Sequence, residues 1–116
     1  MKIYLACPVR GIAEEYREGI EAQVKHLEDL GHEVHYPARD TKQCVSSWDV
    51  CIQNKMGIRN ADIVFVIWDG KSQGVLFDMG MAFAMRKKVR VVTGYMPSMS
   101  NEKSFQNLFY EWEEDD

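Results

Sequence analysis

Residues 75–85 read VLFDMGMAFAM, and Asp78 is the one ionisable side chain in that apolar run. A carboxylate in such surroundings is costly to bury unless it has partners or a task. Two readings stand side by side. Asp78 is a first-turn acid complementing a helix dipole, or it is a working carboxylate at the floor of a pocket. Ser72-Gln73-Gly74 comes directly before it. Ser72 offers a hydroxyl and Gly74 lets backbone amides approach a ligand; free amides at a helix start favour phosphate or carboxylate. Ordinary N-capping explains Ser72 equally well. Pro8-Val9-Arg10-Gly11 follows the first apolar run. Arg10 is placed for an anion at the same edge, or is a plain surface arginine.

Other chemistry is absent from the chain. It has no GxGxxG, no Walker loop and no HExxH, so no dinucleotide, ATP or metal site is expected, and no cofactor. His26, His32 and His35 have no nucleophile beside them in sequence and read as solvated or core histidines. Cys7, Cys44 and Cys51 are odd in number and lack CxxC spacing, which fits reduced thiols and a cytoplasmic location. The net charge of −4 disfavours a nucleic acid polymer as partner. Glu111, Glu113, Glu114, Asp115 and Asp116 concentrate the acidity in a tail that reads as solvated. No apolar run is long enough to span a bilayer, so no membrane partner is expected.

The elements that must position these residues alternate. Residues 3–7 form a short apolar run broken by Pro8 and Gly11, a buried strand and then a turn. Tyr16, Ile20, Val24, Leu27 and Leu30 follow at helical spacing, closed by Gly31. Residues 33–36 predict a second strand, and 38–45 are polar and irregular. Ser46 caps the next helix with Asp49 three residues on, and Trp48, Ile52 and Met56 line one of its faces. Residues 63–68, IVFVIW, predict a central parallel strand buried on both faces. After the loop 69–74 and the helix 75–85 comes a fourth strand at 89–93; residues 101–112 predict a last helix. Alternating strands and helices give a single α/β domain over 1–116: a flavodoxin-like or Rossmann-like, doubly wound parallel sheet of four to five strands. Ligands of such sheets bind beyond the carboxyl ends of the strands, where the loops 7–11 and 69–74 lie.

IYLACPVRG, NADIVFVIWDG and SQGVLFDMGMAFA, in that order and covering roughly 3–93, resemble the nucleoside 2-deoxyribosyltransferase superfamily. The resemblance implies cleavage of the N-glycosidic bond of a 2'-deoxynucleoside or of its 5'-monophosphate. The sugar passes to another base or to water through a carboxylate ester, as in retaining glycosidases. It places the nucleophile at Asp78, with Tyr4 orienting it. Arg10 and Ser72 match the phosphate-contacting residues of the monophosphate hydrolase branch. Cys7, Pro8, Gly11, Asp69 and Gly74 complete the expected substrate contacts. Asn107, in QNLF, loosely matches an asparagine that reaches a neighbouring subunit's site, which implies a homodimer or higher homo-oligomer. Phe105 to Trp112 is the expected apolar surface.

Two departures from the family pattern stand out. The nucleophile is Asp rather than Glu. The catalytic aspartate expected on the preceding helix is replaced, at ungapped spacing, by Asn54, and a carboxamide does not protonate a leaving base. The partner expected is therefore a small nucleoside or nucleotide. Asp78, Tyr4 and Asn54 form the catalytic set, and the alternative is a non-catalytic nucleotide-binding protein that keeps the pocket.

Overall fold

The computed structural model describes residues 1–115. Its elements run β1 (Lys2–Ala6), α1 (Glu14–Asp29), β2 (Glu33–His35), α2 (Pro37–Asp40), α3 (Ser47–Asn60), β3 (Ile63–Val66), α4 (Gln73–Ala84), β4 (Lys88–Val91) and α5 (Phe105–Asp115). The strands form one sheet in the order β2-β1-β3-β4, parallel throughout. The chain leaves β1 to build β2 on one side and β3 on the other. The switch point, where neighbouring loops diverge and leave a crevice, therefore lies at the carboxyl ends of β1 and β3.

Alternation along β1 decides which face each residue serves. Ile3 and Leu5 pack against Ile20, Val24 and Leu27 of α1. Tyr4 and Ala6 turn to the other face, among Ile58 of α3, Val75 and Met79 of α4 and Phe109 of α5. The sheet is covered on both sides, which is why β3 reads as a continuous apolar run.

Four expectations need correction. The segment expected to be irregular holds the single helical turn α2, begun by Pro37 at its first position. The stripe Trp48, Ile52 and Met56 faces outward, Trp48 being 74% exposed. Of the acidic tail, Glu111, Glu114 and Asp115 are exposed as expected, but Glu113 is turned inward on α5 and accepts a hydrogen bond from the Val91 amide of β4; Asp116 lies outside the described residues. The apolar surface expected at 105–112 is largely consumed within the chain. Phe109 is buried, and Trp112 packs edge-on against Phe83 and donates its indole N–H to the Lys87 carbonyl.

Candidate functional site

A cavity of about 550 Å³ opens at the switch point. The β1–α1 loop gives it Cys7, Val9, Arg10 and Gly11; α3 gives Ser47, Val50, Cys51 and Asn54; the β3–α4 loop and α4 give Asp69, Lys71, Ser72, Gly74, Phe77 and Asp78. The residues that reach it from α3 follow helical spacing (47, 50, 51, 54), so they form one face. That face carries small side chains, and the larger stripe at 48, 52 and 56 draws attention away from it.

Along α4 the buried positions are Val75, Asp78, Met79 and Ala82, one continuous stripe. Asp78 therefore sits on the core face of its helix, 7% exposed, with its carboxylate at the cavity wall. The Tyr4 hydroxyl donates to Asp78 Oδ2 at 2.7 Å. Tyr4 is wholly buried, so it holds the carboxylate from behind and offers nothing to a ligand. Asn54 faces the same carboxylate from α3 in the cavity wall and draws its titration down. Burial nevertheless outweighs both groups, and the Asp78 carboxyl is pushed up to about 6. At neutral pH it is mostly ionised, and less stabilised than a solvated carboxylate. Burial, and then the charge of Asp78, push the Cys7 thiol up to about 12, so Cys7 is not a thiolate nucleophile at neutral pH.

The solvent-exposed side of the cavity carries two cations against one further carboxylate, Asp69. Arg10 and Lys71 both line it. Asp69 Oδ1 accepts from the amides of Lys71 (2.9 Å) and Ser72 (2.8 Å), a turn that fixes the loop leading into α4. The Ser72 hydroxyl accepts from the Val75 amide at 3.4 Å, so it caps the helix as well as facing the cavity. The first turn of α4 carries no acidic side chain, which leaves its positive end open to an anion. A Cβ at Gly74 would meet only Ser72 Oγ, at 3.9 Å. Packing does not demand glycine there.

Of the positions named from sequence, Asp78, Asn54, Cys7, Arg10, Gly11, Asp69, Ser72 and Gly74 line one cavity, with Tyr4 directly behind Asp78. Pro8 is buried and does not line it. Asn107 is elsewhere: its amide accepts from the Ser100 N–H at 2.9 Å and donates to the Ser100 and Glu102 carbonyls, clasping the loop before α5. It forms no part of the pocket within its own chain. Lys71, Cys51 and Phe77 line the cavity without having been singled out. His35 and Thr41 were passed over too. Thr41 is 3% exposed and hydrogen-bonded to Asn54. No group of metal-ligating side chains occurs among the described residues, and no helix is long and apolar enough to cross a membrane.

No curated protein matches the chain. Among solved structures it is similar to a 2-deoxyribosyltransferase of the psychrotolerant bacterium Bacillus psychrosaccharolyticus, at 27% identity and a TM-score of 0.69, over 84% of this chain and 77% of that one. It also shares the fold of the CMP N-glycosidase BcmB of Clostridium botulinum, at 22% identity and a TM-score of 0.60, over 77% of this chain and 66% of that one. The family model for nucleoside 2-deoxyribosyltransferase matches residues 3–109, nearly the whole chain, and the protein belongs to that family.

Proposed function

We propose that the protein is an enzyme that cleaves the N-glycosidic bond of a 2'-deoxynucleoside or its 5'-monophosphate with Asp78 as nucleophile. One observation carries this: a single buried carboxylate, held from behind by the Tyr4 hydroxyl and pushed up by burial, stands in the wall of a cavity that Arg10 and Lys71 also line. An oxygen of Asp78 attacks the anomeric carbon. The carbon–nitrogen bond breaks and its electron pair leaves with the base, which takes a proton from water, since Asn54 has none to give. A second base or a water molecule then attacks the glycosyl ester and frees the carboxylate. Arg10, Lys71, Ser72 and the amides near Gly74 hold the 5' end, best as a phosphate. No cofactor enters this chemistry.

The competing reading is a nucleotide-binding protein without turnover. Asn54, in place of the acid that would assist the leaving base, is the observation in its favour. Incubation with a panel of deoxynucleosides and their 5'-monophosphates, with free bases resolved by chromatography, separates the two. Release that is lost in Asp78→Ala supports the enzyme. Calorimetric binding without release from any substrate establishes the binding protein.

The chain works as one domain in the cytoplasm and as a homodimer. The outward residues Trp48, Ile52 and Met56 on α3, all exposed, are the face offered to a second copy. Sedimentation of the wild type against Trp48→Ser tests this; a wild type that stays monomeric at micromolar concentration removes it.

A further inference from the structure

The carboxylate site continues behind Asn54 into a line of hydrogen bonds. Thr41 Oγ1 donates to Asn54 Oδ1 at 2.7 Å, and His35 Nε2 lies 2.9 Å from the same hydroxyl. A threonine hydroxyl has one proton to give. Thr41 gives it to Asn54, so His35 must donate to Thr41, which fixes the imidazole with its proton on Nε2. The direction runs one way: His35 to Thr41 and Thr41 to Asn54 Oδ1, which leaves the amide nitrogen as the side of Asn54 turned to the cavity wall it shares with Asp78. An ionised Asp78 selects the amide nitrogen by itself, but a protonated Asp78 can donate to the oxygen; Thr41, by occupying that oxygen, keeps the amide from turning to favour the protonated form.

The surroundings hold this line still. The Tyr4 and His35 rings stack, with centroids 5.1 Å apart and planes 23° from parallel. A Cβ at Gly57 would come within 3.0 Å of both His35 Nδ1 and Tyr4 Cδ2, so α3 approaches the stack only because residue 57 has no side chain. The turn that presents Thr41 is also tied down. Asp40 accepts from the Tyr36 amide at 2.9 Å, Arg39 makes two bonds to Glu28, and Gln53 of α3 accepts from the Lys42 amide at 2.9 Å.

We propose that Thr41 and His35 are positioning residues for Asp78: acting through Asn54, they keep the amide nitrogen turned toward the carboxylate and so set how readily Asp78 ionises. The proposal rests on Asp78 being the working carboxylate, and gives Asn54, the departure from the family pattern, a task that needs no acid. Tyr4 and Cys7 are the titratable groups facing Asp78 from β1 and its loop. Both are pushed up by burial and by Asp78, so neither changes charge where Asp78 titrates.

The test is a carbon-13 carboxyl NMR titration of Asp78 in the full chain, which needs no substrate. Thr41→Val should raise the Asp78 midpoint by at least about 0.5 unit, roughly threefold in proton affinity, and Thr41→Ser should restore it. His35→Phe, which keeps the ring on Tyr4 but loses the donor, should move it the same way by less. A purely structural Thr41 would lower the melting temperature and leave the midpoint in place; that result, or Thr41→Ser behaving like Thr41→Val, overturns the proposal. An unmoved midpoint in His35→Phe removes His35 from it. Should Thr41→Val fail to fold, the wild-type Asn54 side-chain nitrogen decides: its shift must titrate with Asp78, and an amide blind to that titration overturns the proposal. Absence of base release alongside these shifts would refute the enzyme and leave the positioning line standing.

Discussion

The two ends of the cavity are built on opposite plans. Around Asp78 every group comes from a different element: Tyr4 from β1 and Asn54 from α3 face one buried carboxylate, and Thr41, from the turn after α2, holds Asn54. At the Arg10 end the groups are local and solvent-facing: a loop closed by Asp69 on its own amides, a serine capping its own helix, and two cations on exposed side chains. The first plan fixes a carboxylate within a narrow range, which the proposed attack on a carbon would require. The second supplies charge, which tolerates loose geometry because Coulomb attraction falls off slowly. Substitutions at the two ends should therefore fail in different ways.

The sharpest contrast comes from Asp78→Asn. Loss of the nucleophile should lower kcat by about a thousandfold or more, in the single-turnover assay as well as at steady state. The same variant should gain stability. A carboxyl raised to about 6 in the fold, against about 4 unfolded, contributes stability that is fully present below the unfolded value and lost as pH rises through 6. By pH 7 that loss is about 3 kcal/mol, offset in the variant by about 1 kcal/mol for a weaker acceptor between Tyr4 and Asn54. Burial holds His35 below its ordinary value, and its titration pulls the other way, since that contribution is lost as pH falls. The informative quantity is therefore the melting-temperature difference between variant and wild type, which should grow from pH 4 to pH 7. A flat difference would mean that Asp78 is not strained by burial. Wild-type kcat should rise over the same interval, with a midpoint near 6, as activity and stability part company.

Next in size is Gly57→Ala. The added carbon meets ring atoms at 3.0 Å, and Tyr4, wholly buried and stacked on the half-buried His35, has no free space to retreat into. A cost of about 1–3 kcal/mol is expected in urea denaturation, together with a fall in kcat as Tyr4 is pushed off Asp78. Arg10→Ala and Lys71→Ala should do neither. Each should raise KM for a 5'-monophosphate by about tenfold, spare kcat, leave the plain deoxynucleoside unaffected, and lose its effect in high salt. Equal losses on both substrates would place the cations elsewhere than at the 5' end.

The contrast also governs what the sequence disclosed. The parallel sheet was legible because alternation and apolar runs are local signals, as at residues 63–66 of β3. Asp78 was legible because a lone charge among apolar neighbours is conspicuous, and Arg10 and Ser72 because their loops flank strand ends. The line from His35 to Asn54 was not. It joins residues 6 and 13 positions apart, brought together by β2, α2 and α3, and no spacing announces it. Asn107 misled for the converse reason: its resemblance was one of residue type, while its amide is spent on the carbonyls of its own loop. The stripe on α3 misled because bulk was taken for burial, and the face that lines the cavity carries only Ser47, Val50, Cys51 and Asn54.

The smallest predicted effect separates the two plans most cleanly. Gly74 lies in the first turn of α4, and a methyl group there meets nothing closer than 3.9 Å. Alanine favours the helix over glycine, by less in a first turn than in an interior, so Gly74→Ala should stabilise the fold by about 0.5 kcal/mol. The same methyl group occupies the space in front of the helix amides, where the 5' end would sit. Affinity for the monophosphate should then fall about threefold while the Asp78 titration stays in place, which carboxyl NMR and calorimetry on one sample would show. A variant that is more stable, binds less well and leaves the carboxylate untouched would mean that this glycine is kept for the ligand. Unchanged phosphate affinity would move the anion away from the helix start and leave Arg10 and Lys71 to hold it without the amides.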